Sequence, residues 1–143
     1  MNRYLLLLTI CLVGFQPKQS VNIFMIGDST MANKLTAKEP ERGWGQMFPL
    51  FFSEEVKIHN HAQNGRSTKS FIGEGRWKVV LDSLKPGDYV IIQFGHNDQK
   101  EDSTRHTDPF KTFRANLEKY INETRAKGAF PILCTSIVRR KFD

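Results

Sequence analysis

Three short stretches carry residues suited to acyl-transfer chemistry: Gly27-Asp28-Ser29, Asn64-Gly65-Arg66-Ser67 and Gly95-His96-Asn97-Asp98. Ser29 is a candidate hydroxyl nucleophile directly behind the apolar run VNIFMI (21–26). At a strand-to-helix corner its own backbone N–H would be unpaired, and could hold the oxyanion of a tetrahedral intermediate. The helix dipole would reinforce that donor. Gly65 can offer a second N–H with no side chain in the way. Asn97 can add its side-chain amide as a third donor. One such donor is typically worth a factor of ~10²–10³ in turnover. Taken singly the stretches have plainer readings, since Gly, Asp and Ser form turns, Asn-Gly is a turn dipeptide and GHND suits a capped loop. Their succession at three strand ends favours the chemical reading.

The elements that must position these residues are legible as apolar runs. VNIFMI, VKIHNHA (56–62), YVIIQF (89–94) and AFPILCTSIV (129–138) read as strands. WGQMFPLFF (44–52) reads as helical around Pro49 and packed on the sheet. QNGRSTKS (63–70) reads as a polar loop, and RWKVVLDSL (76–84) has apolar residues at helical spacing. Asp108 and Pro109 open a further helix as N-cap and first residue. Its buried face is predicted to hold Phe110, Phe113, Leu117, Tyr120, Ile121 and Thr124, with Gly128 just past its end. Alternating strands and helices predict an α/β fold with a parallel sheet. Ligands then bind beyond the carboxyl ends of the strands, where the loops begin GDS, NGRS, GHND and VRR.

Composition narrows the function classes. The 143 residues suffice for one domain, with 39% hydrophobic and 25% charged residues. Net charge is +6, and removing Arg3 and Lys18 with the leader leaves +4 on the body. The excess is dispersed, and only Arg139-Arg140-Lys141 forms a run, which argues against nucleic-acid binding. A mild positive bias suits an acidic polymer as substrate.

Residues 1–20 read as a secretory signal, with Arg3 as the n-region and YLLLLTICLVGF as the apolar core. That core is about a dozen residues, too short for a bilayer span, so export without stable membrane insertion after processing is expected. Ile10 argues against lipidation at Cys11, and Lys18-Gln19-Ser20 is a poor cleavage match. With only Cys11 and Cys134, processing leaves one thiol and no disulfide framework. His59 and His61 form an HxH pair without a nearby third ligand, so neither a metal nor another cofactor is expected.

Gly27-Asp28-Ser29, Gly65 and Gly95-x-Asn97-Asp98 resemble blocks I, II and III of the SGNH hydrolases, also called GDSL-type esterases. GDSTMA, ERGWGQ, NGRSTKSFIGEGRW and GDYVIIQFGHNDQK are similar to the rhamnogalacturonan acetylesterase branch, and PILCTSIVRRKF extends the likeness. The resemblance implies a three-layer, flavodoxin-like α/β sandwich. It makes Ser29 the nucleophile, and Ser29 N–H, Gly65 N–H and the Asn97 amide the oxyanion hole. Asp28, Gly27, Gly95 and Asp98 take supporting places. The implied reaction is hydrolysis of acetyl esters on a pectic polysaccharide outside the cytoplasm.

One departure is plain. The family's base is a late Asp-x-x-His block, and this sequence has none. Asp102 and His106 are four apart, His96 reads as a loop residue, and His59 and His61 read as structural. Loss of a triad base typically costs ~10⁴–10⁶ of rate. Residues 21–143 are therefore expected to be the N-terminal portion of a longer esterase, inactive as they stand. Three alternatives accompany that reading. One is a non-catalytic carbohydrate-binding remnant that stacks sugars on Trp44, Trp77 or Phe71. Another is an SGNH lipase, lysophospholipase or thioesterase acting on other acyl esters. The last places phosphate at a helix N-terminus beside Ser29 and Gly65, although no GxxxxGK[ST] loop is present.

Overall fold

The computed structural model describes residues 20–34 and 40–138. The expected signal sequence and the Arg139-Arg140-Lys141 run lie outside the described residues. Four parallel strands form one sheet: β1 (Val21–Gly27), β2 (Val56–Asn60), β3 (Tyr89–Gln93) and β4 (Phe130–Leu133), in the order β2-β1-β3-β4. The α/β class with a parallel sheet is thus as the alternation predicts.

Helices cover the two faces unequally. α1 (Trp44–Met47), continued by a 3₁₀ turn Phe48–Phe51, lies between β1 and β2. Trp44 and Phe48 pack with Met25, Met31 and Ile91 on one face. α2 (Thr68–Gly73) and α3 (Arg76–Ser83) follow β2, and α4 (Arg114–Ala126) joins β3 to β4. Their apolar sides meet Phe24, Ile26, Val90 and Ile92 on the other face. Phe71, Phe94, Tyr120 and Trp77 form a chain of ring contacts there, with centroids 4.9–5.8 Å apart. Such pairs add ~0.5–1.5 kcal/mol each beyond their burial. Phe71 and Trp77 are therefore core, and neither can stack a sugar. Trp44 is half-buried, its indole N–H donated to Gln93 Oε1 at 2.7 Å.

The strand order carries a functional consequence. The chain moves from β1 outward to β2, then returns across β1 to β3. The reversal makes the β1/β3 boundary a topological switch point, where open α/β sheets leave a crevice. Gly27-Asp28-Ser29 and Gly95-His96-Asn97-Asp98 follow the two strands that flank it.

Three expectations need correction. QNGRSTKS is not all loop: its end begins α2, capped by Ser67. Ser67 Oγ accepts from Ser70 N–H at 3.1 Å, and Ser70 Oγ accepts from Ser67 N–H at 2.9 Å. This is a capping box with Ser where Glu or Gln is usual, which hides it in the sequence. Next, Asp108 caps as expected, its Oδ1 accepting from Phe110 and Lys111 N–H, but the first turn, Pro109–Phe113, is π-helical. The wider turn rotates Phe110 off the buried face, leaving it 88% exposed. Finally, the fourth strand ends at Leu133 rather than Val138, and Phe130, Ile132 and Leu133 are exposed. His59 and His61 both stack on Phe24, with centroids 4.7 and 5.9 Å away, and His59 Nε2 meets Asn22 Oδ1 at 3.1 Å. Burial, then the neighbouring His59, lowers the His61 pKa.

Candidate active site

The β1 corner is a tight turn, and no helix follows it directly. Asp28 O accepts from both Met31 N–H and Ala32 N–H, at 3.2 and 3.0 Å. The helix dipole therefore gives Ser29 nothing, contrary to the sequence expectation; of the phosphate reading only α2, just past Gly65, remains as a helix start, and its Thr68 and Ser70 N–H groups are already donated to Asp98 and Ser67. What fixes the corner is Asp28, which is buried. Its Oδ1 accepts from Thr30 N–H and lies 2.9 Å from Thr30 Oγ1, an arrangement in which the aspartate side chain mimics a further backbone turn. Ser29, between them, is only half-buried.

The second loop runs alongside this corner. Beyond β2 the chain keeps hydrogen-bonding β1, with His61 N–H on Met25 O and Gln63 N–H on Gly27 O, at 2.9 and 3.0 Å. This carries Asn64-Gly65-Arg66 to the level of Ser29. Gly65 has φ +77°, a left-handed conformation that a Cβ would strain. Among the described residues, neither the Ser29 N–H nor the Gly65 N–H donates to another protein group. Both donors are thus available.

The third loop is lashed to the second. Asn97 is buried, and its Nδ2 donates to Arg66 O at 3.0 Å. One proton of that amide is used in positioning, and the other remains for a ligand. Gly95 O accepts from Asp98 N–H and Gln99 N–H, closing the turn that presents Asn97. Asp98 faces away from the crevice, into a buried knot. Thr68 N–H donates to its Oδ1 at 3.0 Å, and the Thr68 and Thr107 hydroxyls donate to the same oxygen. Thr68 in turn accepts from Asn116 Nδ2 on its hydroxyl and from Tyr120 O–H on its carbonyl. Burial raises the Asp98 pKa, opposed by the Thr68 and Thr107 hydrogen bonds. Asp98 therefore ties the β3 loop to the start of α2 and to α4.

Sequence reasoning missed Gln93, the last residue of β3. Its Oε1 accepts the Trp44 indole N–H and lies 3.3 Å from Thr30 Oγ1, while its Nε2 donates to Thr135 O at 2.9 Å. One buried amide thus joins the β1 corner, α1 and the segment after β4. Its signal was a lone polar residue inside the apolar run YVIIQF. The histidines are engaged elsewhere: His96 Nε2 contacts Ile137 O, and His106 Nδ1 contacts Lys100 O at 3.0 Å. Asp102 binds Thr104 and Arg105. Two clefts flank the site, one of about 450 Å³ touching Gly95 and His96, the other of about 480 Å³ touching Gly65.

Residues 25–142 match the family described as GDSL-like Lipase/Acylhydrolase. The chain is 44% identical over 126 residues to the rhamnogalacturonan acetylesterase RhgT of Bacillus subtilis, covering 88% of this chain and 53% of that protein. It is 37% identical over 123 residues to a probable rhamnogalacturonan acetylesterase, YesY, of the same organism, covering 85% and 56%. A crystal structure of the Bacillus subtilis protein YxiM superposes with a TM-score of 0.71 at 32% identity, over 84% of this chain and 34% of that one. The chain therefore spans about half the length of the curated relatives RhgT and YesY.

Proposed function

Because this chain belongs to the GDSL-like lipase/acylhydrolase family, we propose that it carries the nucleophile and oxyanion-binding half of a serine ester hydrolase. The proposed substrate is an acetylated pectic polysaccharide met outside the cell's interior. The general base is supplied from outside residues 1–143. The observation that carries this reading is the convergence at the switch point: Ser29 on its turn, two uncommitted N–H donors, and a buried Asn97 amide fixed by Arg66 O.

The chemistry follows from that arrangement. Ser29 Oγ attacks the ester carbonyl carbon while a base takes the hydroxyl proton. The carbonyl oxygen becomes an oxyanion, met by the Ser29 and Gly65 N–H groups and by Asn97 Nδ2. Collapse breaks the bond to the sugar oxygen, which leaves protonated, and water then releases acetate from the acyl-serine. Acetyl specificity is supported by the names of the relatives RhgT and YesY, and export by the reading of residues 1–20 as a secretory signal.

The test uses a methylphosphonofluoridate with added imidazole as proton acceptor. Serine oxygen bonds to phosphorus, fluoride leaves, and imidazole takes the proton. Peptide mass mapping is expected to find the adduct on Ser29, none in Ser29→Ala, and labelling slowed by ~10²–10³ in Asn97→Ala. Saturable sugar binding without any Ser29 adduct would instead establish the non-catalytic binding module.

A further inference from the structure

The peptide that joins Asn64 to Gly65 carries a group on each side. Its N–H belongs to Gly65 and is one of the two uncommitted donors of the crevice, and its C=O belongs to Asn64. The unit is trans and planar, so the two bonds point in opposite directions and neither turns without the other. Whatever holds Asn64 O therefore aims the Gly65 N–H. Gln63 to Arg66 form a turn around this peptide, closed by Arg66 N–H on Gln63 O at 3.3 Å. Gly65 has φ +77°, while the φ of Asn64 is not positive. That combination is a type II turn. The commoner type I turn differs by rotation of the central peptide, which would swing the Gly65 N–H to the other face of the loop.

One side chain holds the observed state. Arg66 Nη1 donates to Asn64 O at 2.8 Å, a contact that lasts only while that carbonyl stays on the guanidinium's side. A charged donor binds a carbonyl more strongly than a neutral one does. Hydrogen bonding at the C=O also polarises the peptide, so that its N–H becomes the better donor. The guanidinium is itself anchored. Its Nε donates to both carboxylate oxygens of Glu74, at 3.1 and 3.0 Å, and Arg76 Nε meets the same carboxylate at 2.6 Å. The hydrogen bond from Arg76, joined by that from Arg66, lowers the Glu74 pKa and keeps the anchor charged. Across the turn Lys34 Nζ donates to Asn64 Oδ1 at 2.9 Å. The carbonyl of Arg66 is meanwhile the acceptor that fixes the Asn97 amide. Side chain and carbonyl of one residue thus hold two of the three oxyanion donors.

Resting on the esterase reading, we infer that Arg66 is a positioning residue for the reaction. Its guanidinium, anchored on Glu74, locks the Asn64–Gly65 peptide in the orientation that aims the Gly65 N–H at the oxyanion. It acts through the backbone and not on the substrate.

Phosphonylation of Ser29 reads the donor, because the phosphoryl oxygen takes the oxyanion's place. Arg66→Lys keeps the charge but offers a single ammonium where the clasp needs two separated N–H groups. Labelling is expected to slow ~10-fold or more in Arg66→Lys and in Arg66→Ala, short of the ~10²–10³ for complete loss of a donor. Glu74→Gln weakens only the anchor and should slow labelling about threefold, the scale of one exposed ion pair. Arg66 and Glu74 both reach solvent, so the urea midpoint should barely move in any of the three variants. A second readout needs no reaction. In the nuclear magnetic resonance spectrum of the chain, a type II turn gives a strong cross-peak between Asn64 Hα and the Gly65 N–H, and this peak should weaken in Arg66→Ala. An unchanged cross-peak in Arg66→Ala, or labelling of both Arg66 variants at the rate of the unsubstituted chain, would overturn the assignment and leave the esterase standing. Absence of any Ser29 adduct in the unsubstituted chain would remove the esterase reading, and the positioning role with it.

Discussion

A glutamine at the end of an apolar strand is costly to bury unless its polar atoms all find partners. Gln93 meets that condition by joining Trp44, Thr30 and Thr135, and so it acts on Ser29 without touching it. Gln93→Leu keeps the size but leaves the indole N–H of Trp44 without its acceptor. An unsatisfied buried group costs ~1–3 kcal/mol, so the urea midpoint should fall by an amount in that range. Ser29 phosphonylation should slow as well, because the turn that presents it loses a support. A variant with lowered stability and unchanged labelling rate would show that Gln93 serves the fold alone. The contrast with Asp98 is instructive. That carboxylate was legible because it belongs to a recognisable Gly-x-Asn-Asp stretch, yet the sequence could not say that it faces the Thr68 knot instead of the crevice.

Elements were legible where local chemistry and tertiary need agree. β1 and β3 are continuous apolar runs because both faces are covered, and Asp108-Pro109 announced a helix because cap and first turn sit in adjacent residues. Where tertiary contacts override local rules, the sequence was silent. The π turn that ejects Phe110 is closed by Phe113 N–H on Asp108 O, a bond that no periodicity records. Ser67-x-x-Ser70 caps α2 with a residue the usual pattern omits. The ERGWGQ stretch belongs to this second group, and its glycines are explained only by packing. A Cβ on Gly43 would stand 2.0 Å from Ala32 O and 2.7 Å from Met31 C, inside the turn that follows Ser29. Gly43→Ala must therefore push α1 off the corner. Overpacking of this kind costs roughly 1–3 kcal/mol, and backbone on the other side leaves little room to yield. Gly73→Ala is the control, since nothing lies within 4 Å of its Cβ position. It should be neutral or stabilise by up to ~1 kcal/mol. Thermal melts of the two variants side by side check the pair, and equal midpoints would refute the packing account.

At the scale of the whole molecule two forces oppose each other. The net charge of +6 keeps copies apart, while β4 offers an apolar edge that pairs only with β3 among the described residues. Phe130 and Leu133 are each about half exposed, and Val138 beyond them is 88% exposed. A strand edge with open N–H and C=O groups and apolar side chains is a template for another chain. Repulsion between dispersed surface charges reaches only a Debye length, ~10 Å at 0.1 M salt and ~3 Å at 1 M. Edge pairing acts at contact and gains from apolar burial, so salt should weaken the first force and leave the second intact. The chain is thus expected to associate increasingly between 0.05 and 1 M NaCl, judged on ~Debye-length grounds, as followed by sedimentation velocity. Ile132→Lys with Leu133→Lys places charge on the edge without entering the crevice, and should return the sedimentation coefficient to the monomer value at every salt. A chain that stays monomeric at 1 M NaCl, or a double variant that associates as before, would locate the adhesive surface elsewhere. The exposed Leu50 and Phe51 beyond α1 are then the apolar side chains to charge next.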